Sequence, residues 1–227
     1  MSRTFVLGDI HGAFRALKQC LETADFDYEK DRLIALGDVC DGWPETKACI
    51  DELLKIKNLI FILGNHDSHL LNWMETGNIP KDWFVHGGEA TVKSYGDYIP
   101  GFHIAFLKNA KYYHVEDNRL FVHAGIIPGQ KLDTQSPSIF MWDRTLATLV
   151  MDFHNRGVNY KLTEFDEIFI GHTPITSPHP IVSCEVWMMD TGAGWGRTLS
   201  MMEIDTKEFF ISDPVSSLYP GVQGRTK

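Results

Sequence analysis

Thr4-Phe5-Val6-Leu7-Gly8-Asp9-Ile10-His11-Gly12 is the stretch from which the rest of the chain can be read. Thr, Phe, Val and Leu in succession form a short buried-strand pattern, which stops at a glycine followed by groups able to bind a metal. The arrangement recurs. Leu33-Ile34-Ala35-Leu36 runs into Gly37-Asp38 with Asp41 close behind, and Leu59-Ile60-Phe61-Ile62-Leu63 runs into Gly64-Asn65-His66-Asp67. Between them, residues 12–24 place Phe14, Leu17, Leu21 and Ala24 on one helical face. Pro44 suits the first turn of a second helix carrying Ile50, Leu53 and Leu54. Strand–helix–strand–helix–strand predicts an α/β fold that opens as a largely parallel sheet, with its strand ends aligned on one edge.

Further along, residues 66–118 read as mostly helical or loop, broken at Gly77, Pro80, Gly87-Gly88 and Pro100-Gly101. Strand patterns return at Leu120–Val122, Ile168–Ile170 and Val186–Met189, and Met201–Ile204 with Glu208–Ile211 reads as a hairpin. Residues 1–212 are expected to form one domain. The segment 213–227, with Pro214, Pro220 and Gly221, has no periodic pattern and is expected to be irregular.

The chain has 227 residues, 44% apolar and 22% charged, which fits an ordinary folded domain and excludes wholesale disorder. With 21 basic against 30 acidic side chains its net charge is −9, which argues against a main task of gripping nucleic acid or an anionic membrane. A small phosphate ester remains compatible, because bound dications reverse the sign locally. No run approaches the ~20 apolar residues of a membrane span. Nothing at the start reads as a signal peptide, and Cys20, Cys40, Cys49 and Cys184 lack C-x-x-C spacing. Reduced thiols and a cytoplasmic location are the expectation.

The chemistry lies in a regularity of position. Asp9 and His11, Asp38 and Asp41, Asn65 with His66 and Asp67, His123, and His172 each follow a predicted strand. In open α/β sheets the carboxyl ends of strands are where loops converge on a crevice. One Asp after a Gly is commonly only a turn or cap residue, and one His is commonly a core or surface residue. Independent turns have no reason to supply this ligand mix five times in order. Carboxylates, an amide and imidazoles without a thiolate suit Mn²⁺, Fe or Zn²⁺. Two such ions about 3.5–4 Å apart can orient a phosphate and stabilise both attacking and leaving oxygens.

Taken together, GDIHG (8–12), GDVCD (37–41), GNHD (64–67), VHAG (122–125) and GHT (171–173) resemble the phosphoprotein phosphatase branch of the calcineurin-like metallophosphoesterases. DTGAGWG (190–196) and WFVHGGEATVKSYG (83–96) look like bacterial members. The resemblance implies an α/β fold with central mixed β-sheets flanked by helices, and two divalent metal ions, Mn²⁺ first among them. It implies that Asp9 and His11 bind one metal, that Asp38 bridges both, and that Asn65, His123 and His172 complete the second. By the same resemblance, Asn65 also faces the substrate phosphate, His66 protonates the leaving group, and Asp41 orients His66. The expected activity is hydroxide attack on a phosphomonoester of a phosphorylated protein, with serine/threonine phosphatase as the leading reading. Dinucleoside polyphosphate hydrolysis is the alternative, and a catalytically silent phosphate-binding protein a third. Pro174 stands where many nuclease relatives carry a further His, which favours the phosphatase branch. One departure matters: the family's GDxxDRG would put Arg at 42, and here the chain reads Gly42-Trp43. Arg144 resembles a second family arginine and can fork onto phosphate oxygens. His123 is preferred to His86 as a ligand because it follows a buried strand. His69, His103, His114, His154 and His179 are expected to be structural or exposed.

Overall fold

The computed structural model describes residues 2–225. The opening pattern builds β1 (Thr4–Leu7), α1 (Phe14–Thr23), β2 (Arg32–Ala35), α2 (Thr46–Leu53), β3 (Asn58–Phe61) and α3 (Asn65–Thr76). The later strands are β4 (Tyr113–Glu116), β5 (Arg119–Val122), β6 (Glu167–Ile170), β7 (Ile181–Ser183), β8 (Val186–Met188), β9 (Ser200–Glu203) and β10 (Phe209–Ile211). They form two five-stranded sheets, in the orders β10-β9-β1-β2-β3 and β4-β5-β6-β8-β7. The first three strands are parallel, as expected, but the hairpin β9–β10 joins β1 antiparallel, so the sheet is mixed. β4 lies within residues read as helix and loop, and β7 was not anticipated. Each is a short edge strand paired antiparallel to its neighbour, so little apolar sequence marks it.

Strand parity explains why the two sheets stack. Phe5 and Leu7 point to the helical side, where they meet Ala16, Leu17, Cys20 and Leu21 of α1. Val6, between them, points the other way. Ile34, Phe121, Phe169, Met189 and Met202 join Val6 in a layer between the sheets. Phe121 and Phe169 sit opposite each other in the β5–β6 register and stack at 4.9 Å with planes 6° apart. Both sheet faces are therefore covered, which is why the strands read as unbroken apolar runs. Truncating a residue such as Phe169 to Ala would cost about 3–5 kcal/mol.

The segment after 212, expected to be irregular, carries a short helix at Val215–Leu218. Val215 and Tyr219 are buried, and Tyr219 stacks on Trp43 with ring centroids 5.1 Å apart. A single helical turn leaves no period to detect, so tertiary contact decides this conformation. Among the described residues no helix is long and apolar enough to cross a membrane, and all four cysteines are free.

Candidate metal centre

The strand ends of both sheets meet at one cluster. Two groups of side chains offer ligand atoms mutually within 4.8 Å: His11, Asp38 and His66, and Asp38, His123 and His172. They share Asp38. The loops that deliver them are held in unusual conformations, with positive φ at His11 (52°), Asp38 (49°), Asp41 (73°) and His172 (62°). Non-glycine residues rarely adopt that region, and its cost persists only where surrounding contacts impose it. Asp67 supplies such contacts: its carboxylate accepts bonds from the backbone N–H groups of Asp38 (2.7 Å), Val39 (2.8 Å) and Gly64 (2.9 Å). It staples the turn after β2 to the turn after β3.

Two of the imidazoles are oriented through their Nδ1 atoms. His11 Nδ1 donates to the Cys40 carbonyl at 2.9 Å and His123 Nδ1 donates to the Leu36 carbonyl at 2.8 Å. The Nε2 atoms of both are thus turned inward, 3.8 Å and 3.4 Å from Asp38 Oδ2. Asn65 Oδ1 lies 3.0 Å from His123 Nε2. Asp9 accepts the His172 N–H at 2.9 Å through Oδ2, while its buried Oδ1 has no partner.

Electrostatics set buried carboxylates and imidazoles against one another around Asp38. Burial, reinforced by Asp190, pushes the Asp9 carboxyl well up. Burial would also raise Asp38, but His123, His66 and His11 outweigh it and hold that group well below the usual carboxylate range. Burial would lower His123, yet Asp38 and Asp9 raise it to about 10. His11 and His172 are pushed down, His172 to about 3, chiefly by burial and then by nearby cations, so both present neutral rings. Unpaired carboxylate oxygen, neutral imidazoles and an amide oxygen fit the demands of hard-to-borderline dications.

His66 has a separate attachment. Its Nδ1 bonds Asp41 Oδ2 at 2.6 Å. The Asp41 carboxylate, fully buried, also accepts Trp83 Nε1–H at 2.6 Å and the Thr91 hydroxyl at 2.7 Å. Trp83 and Thr91 were not singled out from the sequence, although both lie in the stretch 83–96 whose family likeness was evident. Asp190, buried beside Asp9 and raised to about 6 mainly by burial, was likewise missed within DTGAGWG.

A cavity of about 440 Å³ opens over this cluster, lined by Asp38, Asn65, His66, His172, Arg144 and Arg225 among others. Arg144 directly precedes the helix Thr145–Arg156 and its Nε–H donates to His172 Nε2 at 3.1 Å. His69, expected to be structural or exposed, lines the cavity, as does His86, which stands outside both triads. Helix α3 carries Asn65 and His66 in its first turn, and His69 follows His66 by one turn on the same face, which brings it to the cavity wall.

A family model described as calcineurin-like phosphoesterase matches residues 2–193. The symmetrical bis(5'-nucleosyl)-tetraphosphatase of Coxiella burnetii is 33% identical over 91 residues, 40% of this chain; the match spans only 31% of that relative's length. Serine/threonine-protein phosphatase 1 of Salmonella typhimurium is 24% identical over 203 residues, covering 88% of this chain and 91% of the relative. The solved structure of a protein serine/threonine phosphatase from Saccharomyces cerevisiae superposes with a TM-score of 0.66 at 12% identity, over 100% of this chain and 84% of that one.

Proposed function

The chain belongs to the calcineurin-like phosphoesterase family, and from that premise we propose that it hydrolyses phosphomonoesters, with phosphoserine and phosphothreonine proteins as its leading substrate class. The observation that carries this reading is the pair of buried side-chain triads sharing Asp38, beneath a cavity that Arg144 lines. Two bound dications, Mn²⁺ in the first place, would supply charge to the phosphoryl oxygens and acidify the attacking water. In this reading Asp9 and His11 hold one ion, Asn65, His123 and His172 the other, and Asp38 both.

The chain's own groups account for the remaining chemistry. Arg144 neutralises and orients the phosphate from the cavity wall, with Asn65 also facing it. His66 gives its proton to the departing seryl or threonyl oxygen. Asp41 fixes the ring through Nδ1, while Trp83 and Thr91 keep the Asp41 carboxylate from rotating. Substrate class is supported by the near full-length similarity to the Salmonella phosphatase. A second reading, hydrolysis of a dinucleoside polyphosphate, draws on the Coxiella tetraphosphatase match and on Trp142. That indole is 46% exposed on the cavity wall and offers a face for a nucleobase.

A substrate panel tests the choice. Manganese-loaded protein is assayed against phosphoserine and phosphothreonine peptides, diadenosine tetraphosphate, mononucleotides and an aryl phosphate. The reading expects the highest kcat/KM on phosphopeptides. A preference of tenfold or more for diadenosine tetraphosphate would replace it with the second, and inactivity on all of them would remove both.

A further inference from the structure

Gly42 stands where the family pattern carries arginine, and its surroundings show what replaces that side chain. Its φ of 120° is a conformation that side-chain-bearing residues rarely adopt. A Cβ built there would point at Cγ of Arg225, 2.9 Å away. The aliphatic stem of Arg225 thus fills the volume into which a side chain at 42 would project. The neighbouring residue completes the fit. Trp43, which replaces the glycine of the family pattern, is the surface on which Tyr219 stacks, and Gly224 lies against its indole. The indole N–H of Trp43 donates to Ala193 O at 2.8 Å, and Arg225 N–H donates to the adjacent Gly194 O at 3.1 Å. The two changes at 42 and 43 therefore provide the room and the anchor for the tail.

We propose that Arg225 is the second phosphate-binding guanidinium of the site, supplied by the C-terminal segment in place of a residue at 42. Its guanidinium sits over the Trp195 ring at 4.8 Å and lines the cavity together with Arg144. Nη1 donates to His11 Nε2 at 3.3 Å, and Nε is buried with no partner. A guanidinium with an unspent, buried N–H facing the cavity is matched by an anionic oxygen, and the fork geometry suits a phosphate. Arg144 touches His172 and Arg225 touches His11, so the two cations border opposite ends of the ligand cluster. A tetrahedral anion over the shared Asp38 would lie between them. The stacking on Trp195 preorganises the planar group and lowers the entropy lost on binding.

This assignment rests on the phosphoester reading of the same cavity, so its test begins with the wild-type chain. Inorganic phosphate is titrated calorimetrically into manganese-loaded full-length protein, with metal content measured in parallel. Arg225→Ala is expected to weaken phosphate binding about tenfold or more, the scale of one lost charge-assisted bond, with manganese stoichiometry unchanged. Arg225→Lys should restore part of the affinity, since an ammonium keeps the charge but not the fork. Equal phosphate affinity in wild type and Arg225→Ala would overturn the assignment while leaving the functional reading intact. So would tighter manganese binding with unchanged phosphate affinity in Arg225→Ala, because the tail would then be competing with metal at His11. Failure of the wild-type protein to bind phosphate would overturn the functional reading and this assignment with it.

Discussion

Gly194→Ala sets a local preference against a site constraint. Gly194 lies in a short 3₁₀ turn, Ala193–Trp195, and alanine is favoured over glycine in a helix by about 1 kcal/mol. On that ground the change would be neutral or stabilising. The added Cβ, however, would stand 2.5 Å from Cδ2 and 2.9 Å from Cγ of His11. Carbon atoms rest at about 3.5–4.0 Å, so the ring must retreat by about 1 Å. It has nowhere free to go, because His11 is 2% exposed and its Nδ1 is held by Cys40 O at 2.9 Å. Overpacking of this kind costs about 1–3 kcal/mol, which exceeds the propensity gain. Misplacing one ligand through its support should reduce metal affinity roughly 10–100-fold, with a turnover loss of similar size. Manganese titration followed by calorimetry, with circular dichroism to establish the fold, measures the effect. Wild-type affinity for both ions in a folded Gly194→Ala protein would refute the reasoning, since His11 would then be mobile or not a ligand.

The other substitutions separate the roles around the cluster. His66→Asn should keep both ions yet lose about 10²–10⁴-fold on a phosphopeptide and far less on p-nitrophenyl phosphate, whose leaving group departs as an anion. Equal losses on the two substrates would take His66 out of the acid role. Asp41→Asn should show the same asymmetry more mildly, because an amide oxygen still accepts from His66 Nδ1 and holds the ring, but through a weaker, uncharged bond; a symmetric effect would count against it. Asp38→Asn should abolish activity on both substrates and lower the bound metal measured by elemental analysis, whereas two retained ions would exclude Asp38 as the shared ligand. Arg144→Ala should raise KM and weaken phosphate inhibition at constant metal content, and unchanged inhibition would return Arg144 to a solvated helix start.

Strand cores and the residues immediately after them were legible in the sequence because burial on both faces writes an unbroken apolar run, and the turn that ends it is marked by glycine. Asp9, His11, Asp38, Asn65, His66, His123 and His172 could be found that way, each by its distance from a run such as Leu33–Leu36. What those runs do not encode is which sheet a strand enters. Residues near 120 and 170 read like those near 5 and 35, yet they build the second sheet, and only their packing through Phe121 and Phe169 determines the arrangement. Trp83 and Thr91 escaped notice as individuals because an indole and a hydroxyl in a helical stretch look like ordinary core and surface groups. Their role exists only through Asp41, 42 and 50 residues away in the chain. Arg225 is the extreme case, 214 residues from the His11 nitrogen it meets. Its only trace was an absence at position 42.

The pairing of β9 with β1 has a consequence for how the protein comes into being. Phe5 is opposite Glu203, so β1 waits for β9, which follows the whole second sheet in the chain, to cover its edge. At about 5–20 residues per second, that is an interval of tens of seconds on a ribosome. The two ligand groups mature on different schedules. Asp9, His11 and Asp38 have all emerged within the first third of translation, whereas the other group needs residue 172. An ion captured early would sit on an unfinished sheet with one edge open, and non-local pairings of this kind form slowly. Assembly of the second group thus waits for β6 and the turn after it, long after the first group has left the ribosome.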